Sequence, residues 1–150
     1  MALLKKTFQL YGQPYDSILF NYINGTRYPI PSEWDLLKSI ASTLPRNVQS
    51  VYRGTDLYSI VCANVDEIIE FKDRLYSWTT KHKVAKNIIG NEGAILVMND
   101  TTNSTGIDLR SVNTMQAEVL LMPARYVVVD IQQQDESVKT MFVRQISLAE

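Results

Sequence analysis

The sequence predicts an α+β domain whose core is a mostly antiparallel β-sheet, with helices drawn mainly from the N-terminal half. Two observations carry this. Helical spacing and helix-ending residues cluster before residue 90, and four short runs rich in Val, Ile, Leu and aromatics follow, at Gly93–Met98, 116–122, 126–131 and 139–146. Strand runs gathered after the helices, instead of alternating with them, favour α+β over a doubly wound sheet.

The first helix is marked by Ile18, Leu19, Tyr22 and Ile23 at i, i+3, i+4 spacing, with Asn24-Gly25 as its stop. In the second, Ser32 is the expected cap and Asp35 reaches back in a weaker form of the capping box. Its stripe is Leu36, Leu37, Ile40, Ala41 and Leu44, bracketed by Pro31 and Pro45. Residues 48–52 read as a buried strand running into Gly54, and a third short helix is expected from Asn64, with Glu67 three residues on. Tyr76-Ser77-Trp78-Thr79-Thr80 reads as a strand and its exit. Thr80 is then expected to cap a helix that turns Val84, Ala85, Ile88 and Ile89 inward and closes at Gly90. The polar stretch 99–106 reads as an exposed loop, too short to link two domains.

Composition narrows the function classes. The 150 residues, 45% hydrophobic and 21% charged, suit one domain spanning 1–150 with a substantial core. A net charge of −1 with interspersed signs supplies no long-range field for nucleic acid or anionic membrane. Cys62 is the single cysteine, which excludes an intramolecular disulfide and multi-thiolate zinc sites, and it reads as a small buried hydrophobe. His82 is the single histidine; flanked by Lys81 and Lys83 it reads as solvated surface, which removes most zinc-hydrolase layouts and weakens a Ser/His/Asp triad. No metal is expected. The opening Met1-Ala2-Leu3-Leu4-Lys5-Lys6 turns polar at once, without a secretory apolar region or a membrane span, so a cytoplasmic location is the expectation. Neither G-x-G-x-x-G nor a Walker P-loop is present, so Rossmann-type dinucleotide use and P-loop ATP use lack sequence support.

Three polar signatures occur in order: Val51-Tyr52-Arg53-Gly54-Thr55, then Tyr76-Ser77-Trp78-Thr79-Thr80, then Met115-Gln116-Ala117-Glu118 running into Val119. A cation, hydroxyls and a carboxylate form a set able to grip a dinucleotide and cleave its glycosidic bond. Breaking the bond between nicotinamide and ribose in NAD builds positive charge on the sugar. Glu118 is the candidate catalytic carboxylate: it can accept a hydrogen bond from a ribose hydroxyl, and its charge favours the developing cation. Nicotinamide leaves as a neutral base, so no general acid is required. The Arg53 guanidinium can hold a phosphate or ribose oxygen at two points, and Gly54 lets backbone approach the nicotinamide amide closely. Alternation puts Ser77 and Thr79 on one face, placed to orient Glu118 and the ribose, and Trp78 on the other as core. By the same rule Gln116 and Glu118 share a face, Val119 and Leu121 alternate to the other, and Pro123 ends the run. Each motif alone has an ordinary reading, as a surface arginine before a turn, a helix cap, or a solvent-facing polar pair. Their order and shared strand context favour a site.

In that order the motifs resemble the Arg, Ser and Gln-x-Glu motifs of the Arg-Ser-Glu class of mono-ADP-ribosyltransferases, toxin-like enzymes that consume NAD. The likeness extends upstream, where Ile18 through Ile23-Asn24-Gly25-Thr26-Arg27 is similar to the family's iN-x-x-LR helix, and it covers nearly the whole chain. It implies a two-sheet fold, NAD as substrate with no metal, Arg53 on the NAD phosphate, Ser77 and Thr79 ordering the site, and Glu118 as catalytic carboxylate. Gln116 in place of a first glutamate implies an acceptor other than arginine, and Arg110 to Met115 would be the acceptor-recognising loop. Ser77-Trp78-Thr79 departs from the commoner Ser-Thr-Ser. The implied function is transfer of ADP-ribose to a side chain of a target protein by a phage or bacterial effector, located in cytoplasm, including that of a host cell. NAD hydrolysis at the same site and an inactive binding module are the alternatives; a nucleic-acid acceptor is less favoured on charge, and no membrane partner is expected.

Overall fold

A computed structural model describes residues 13–133 and 138–148; the polar opening of the chain lies outside the described residues. The elements run α1 (Gln13–Ile23), α2 (Pro31–Ile40), β1 (Ser42–Thr43), β2 (Val51–Thr55), α3 (Tyr58–Val61), β3 (Ile68–Phe71), β4 (Tyr76–Thr79), α4 (His82–Ile89), β5 (Gly93–Met98), β6 (Thr105–Asp108), β7 (Glu118–Leu121), β8 (Ala124–Gln133) and β9 (Val138–Leu148). The class is α+β as expected, and among the described residues every strand pairing is antiparallel except that of β5 with β9.

The strands follow the order β1-β6-β7-β4-β2-β5-β9-β8-β3. Between β2 and β4 the order is held by one registered pair, Tyr52 opposite Thr79, whereas β2 is paired along its whole length with β5. The sheet is therefore made of two halves joined at one registered pair. Val51, Leu96, Met98 and Met141 of one half bury against Trp78, Val119 and Leu121 of the other in a common core. On the outer face of the β4–β7 half, Leu19 of α1 with Trp34 and Leu37 of α2 pack on Leu75, Ile107 and Leu120. On the opposite outer face, Ala85 and Ile89 of α4 cover Ile95 and Val97. Strand alternation explains the division, since Val119 and Leu121 point one way and Leu120 the other.

Several local expectations are corrected by the structure. The cap of α2 is Ile30, not Ser32: Pro31 occupies the first helical position, where its missing N–H costs nothing. Glu33, not Asp35, reaches back, accepting the Ile30 N–H at 3.1 Å. That helix ends at Ile40, so Leu44 joins the core between the halves instead of the helix stripe. The strand expected at 48–52 begins at Val51 and carries Gly54 inside it. No helix starts at Asn64; its backbone and side chain both donate to Glu67 Oε1, and the short helix α3 lies upstream. Here pairing with β8 overrides local capping, because Asp66 donates to the Val128 carbonyl and Val128 to that of Glu67. Lys81, not Thr80, caps α4, and Ile88 on that helix is 65% exposed. Within 99–106, Thr101 and Ser104 are buried, and Thr105 and Gly106 belong to β6. Cys62 is exposed, and so is His82, as expected for the latter.

Gly54 is where α4 comes closest to the sheet. A Cβ there would stand 2.4 Å from the Ala85 carbonyl oxygen and 2.9 Å from Ile89 Cγ2. Since one of these neighbours is backbone, Gly54→Ala is expected to destabilise the chain by roughly 1–3 kcal/mol, the scale of an overpacked core. Denaturant unfolding checks this, and a change below about 0.5 kcal/mol would show that α4 yields freely.

Candidate active site

Glu118 opens β7 opposite Thr79 of β4, on the strand face shared with Leu120 and turned toward α1. It is 7% exposed. Burying a carboxylate is costly unless its oxygens are hydrogen-bonded, and here three side chains meet that need. Ser77 Oγ donates to Oε2 at 2.5 Å, Tyr22 Oη donates to the same oxygen at 3.0 Å, and Asn113 Nδ2 donates to Oε1 at 3.1 Å. Burial first, and the Glu118 charge second, push the Tyr22 phenol above its ordinary pKa, so it stays a neutral donor.

Arg53 lies in the middle of β2, not at its end, opposite Leu96 and therefore facing the core between the halves. Its Nη1 donates to the Ser77 carbonyl at 2.6 Å, which ties the two sheet halves beside their single registered pair. The guanidinium stands 5.6 Å from the Phe71 ring centre and 5.4 Å from that of Tyr76. Its buried Nε has no hydrogen-bond partner, and no ion pair to Arg53 occurs among the described residues. Burial, and after it the charge of Arg74, hold the Arg53 pKa below the usual arginine value. The rings offset part of the cost of burying this cation; an anion would offset the rest. Arg74 packs on the same Tyr76 ring at 4.9 Å and on Tyr28 at 5.2 Å, and donates to the Tyr28 hydroxyl.

Thr79 plays a different part from Ser77. Its Oγ1 donates to the Gln116 carbonyl at 2.6 Å and accepts the Lys81 N–H, so the hydroxyl fastens the chain leading into Glu118 to the start of α4. Gln116 is not on the strand. Ala117 takes a φ of 45°, a left-handed turn that ends the strand at Glu118 and leaves Gln116 exposed. Simple alternation does not place this pair. Even so, Arg53, Gly54, Ser77, Thr79, Gln116 and Glu118 all line one cleft of about 210 Å³. A second cavity of about 290 Å³ shares Arg53 with it and adds Glu70, Arg74 and Tyr76. A larger one of about 340 Å³, beside Arg46 and Asp100, contains none of these residues. Among the described residues, no group of three or more His, Cys, Asp or Glu side chains converges as a metal site.

Tyr22 and Asn113 are the site residues that motif reading did not single out. Tyr22 appeared only as one member of an apolar helix stripe, although a tyrosine among aliphatics carries a polar tip that needs a partner when buried. Asn113 lay within the expected acceptor loop with no signal marking it.

No protein-family model matches the sequence, and no curated protein does. Solved structures do. The Vis toxin, an ADP-ribosyltransferase from Vibrio splendidus, superposes with a TM-score of 0.57 at 18% identity, over 93% of this chain and 70% of its own. Vis in complex with agmatine gives 0.61 at 16% identity, over 94% and 71%. This chain has the ADP-ribosyltransferase fold. Exoenzyme S from Pseudomonas aeruginosa, in complex with human 14-3-3 protein beta and bound to carba-NAD, shares that fold at a TM-score of 0.52 and 12% identity, over 86% of this chain and 66% of its own. In the ADP-ribosyltransferase fold as this chain builds it, the cleft opens where β2 and β4 are held by one pair, and α4 closes its side over Gly54.

Proposed function

We propose that the chain is an NAD-dependent mono-ADP-ribosyltransferase that moves ADP-ribose to a side chain of a target protein and releases nicotinamide. One observation carries this: a buried carboxylate held by three donors shares a cleft with a half-buried guanidinium that has no carboxylate partner among the described residues. The pair suits an elongated substrate with an anionic middle and a sugar that becomes cationic.

In this reading the nicotinamide-ribose end occupies the Glu118 cleft, and the diphosphate meets Arg53. The adenosine half extends toward the second cavity, beside Arg74 and Tyr76. The bond from ribose C1′ to the nicotinamide nitrogen breaks, and its electron pair leaves with neutral nicotinamide. Glu118 lowers the cost of the positive charge left on the sugar. The acceptor nucleophile then bonds to C1′ and gives up its proton; water in its place yields free ADP-ribose. Gln116 at the cleft favours an acceptor other than arginine, and the net charge of −1 makes a nucleic-acid acceptor the weaker candidate. The working compartment would be cytoplasm, of the producing cell or of a host.

The test incubates the chain and its Glu118→Ala variant with labelled NAD, in buffer, with agmatine, and in cell lysate. Expected are Glu118-dependent nicotinamide release, label on a protein band, and no label on agmatine, which carries an arginine-like guanidinium. Free ADP-ribose without labelled acceptor would replace transfer with NAD hydrolysis. No release under any condition would leave the inactive binding module.

A further inference from the structure

We propose that the two oxygens of Glu118 do different work: Oε2 is an anchor held by Tyr22 and Ser77, and Oε1 is the oxygen that engages the ribose. This rests on the cleft being an NAD site and assigns Tyr22 as a positioning residue within it.

A carboxylate oxygen has two lone pairs in its plane. Oε2 receives two donors, from Ser77 and Tyr22, and is saturated; Oε1 receives one, from Asn113, and keeps an acceptor site free. The two donors to Oε2 come from rigid elements. Ser77 sits in β4, paired with Leu120 of β7. Tyr22 belongs to α1, which is buried against the same sheet half through Ile18 and Leu19. Its ring packs in a triangle with Tyr28 and Trp34, at centre separations of 6.1 and 5.9 Å, with Trp34 itself buried, which restrains the phenol. By contrast the donor to Oε1 comes from the segment before β7, where Asn113 is half-buried and Met115 is 83% exposed.

Tyr22 and Ser77 thus fix the carboxylate plane from both sides of one oxygen, and a ribose hydroxyl completes the other oxygen. Tyr22→Phe keeps the ring packing and removes only the donor, so the carboxylate can turn out of its productive plane during the reaction. Asn113→Ala removes the donor that shares Oε1 with the ribose and leaves that oxygen a stronger acceptor.

The experiment measures nicotinamide release and, separately, NAD binding by calorimetry, which needs no turnover. For Tyr22→Phe the expected result is a fall in kcat of about ten-fold or more, the scale of one charge-assisted hydrogen bond. NAD affinity should stay within about two-fold, with the unfolding midpoint lowered by only a few degrees, the scale of one buried hydrogen bond. For Asn113→Ala the expected result is NAD binding tighter by about two-fold or more. Unchanged kcat in Tyr22→Phe, or a parallel loss of kcat, affinity and stability, overturns the assignment. Weaker NAD binding in Asn113→Ala overturns the role of Oε1. If the unaltered chain does not bind NAD, the reading of the cleft falls, and this inference with it.

Discussion

Replacing Glu118 by glutamine is expected to lower nicotinamide release by at least about 10²–10³-fold, the cost of removing one preorganised charge-stabilising group. NAD affinity should change by less than about three-fold. The division follows from where the charge matters. The ground-state sugar of NAD needs only a hydrogen-bond acceptor, which the amide oxygen still supplies; the transition state needs the negative charge, which it does not. Glutamine is the cleaner substitution for folding as well as for chemistry. Ser77 Oγ and Tyr22 Oη can each rotate to accept from an amide, whereas Glu118→Ala leaves three donors facing an empty space. Single-turnover release with NAD titrated beyond saturation separates the two quantities. Release at the unaltered rate would remove Glu118 from the chemistry.

Arg53→Met is expected to do the reverse, weakening NAD binding by about 10–100-fold while leaving the apo-protein at least as stable. Arg53 has a carbonyl and two ring faces for partners but no carboxylate among the described residues, and its Nε is buried without a partner. A cation held this way costs folding free energy that a phosphate recovers on binding. An unbranched apolar side chain fills the same space without that cost, so the thermal midpoint in the absence of NAD should hold or rise. Lysine is no substitute: its point charge cannot reach a phosphate and the Ser77 carbonyl together in the flat geometry of a guanidinium. Calorimetry for binding and thermal unfolding for stability test the two halves of this prediction independently. A large loss of stability in Arg53→Met would make Arg53 a structural clamp between the sheet halves.

How far local sequence reaches is visible in particular elements. Residues Gly93–Met98 form β5 with the expected bounds, because a continuous apolar run of that length between a glycine and Asn99-Asp100 suits a fully buried strand. Asn64 and Glu67 form the hydrogen bonds of a helix start, yet no helix follows. The same local bonds serve a turn, and pairing with Val128 decides between them. The Gln116 and Glu118 pair shows the same limit, for a left-handed Ala117 breaks the alternation that motif reading assumed.

Sequence alone determined the fold class, the inward face of α1 and the polar residues of the three motifs. Those depend on spacing and residue type, which neighbours along the chain reveal. The tertiary structure alone decided that the motifs share one cleft, that Tyr22 and Asn113 hold Glu118, that Thr79 fastens the backbone ahead of it, and that Arg53 is half-buried with no ion pair among the described residues. Tyr22 reaches Glu118 across 96 positions of sequence. Contacts at that range come from how α1 packs on the β4–β7 half, and no local pattern of residues encodes them.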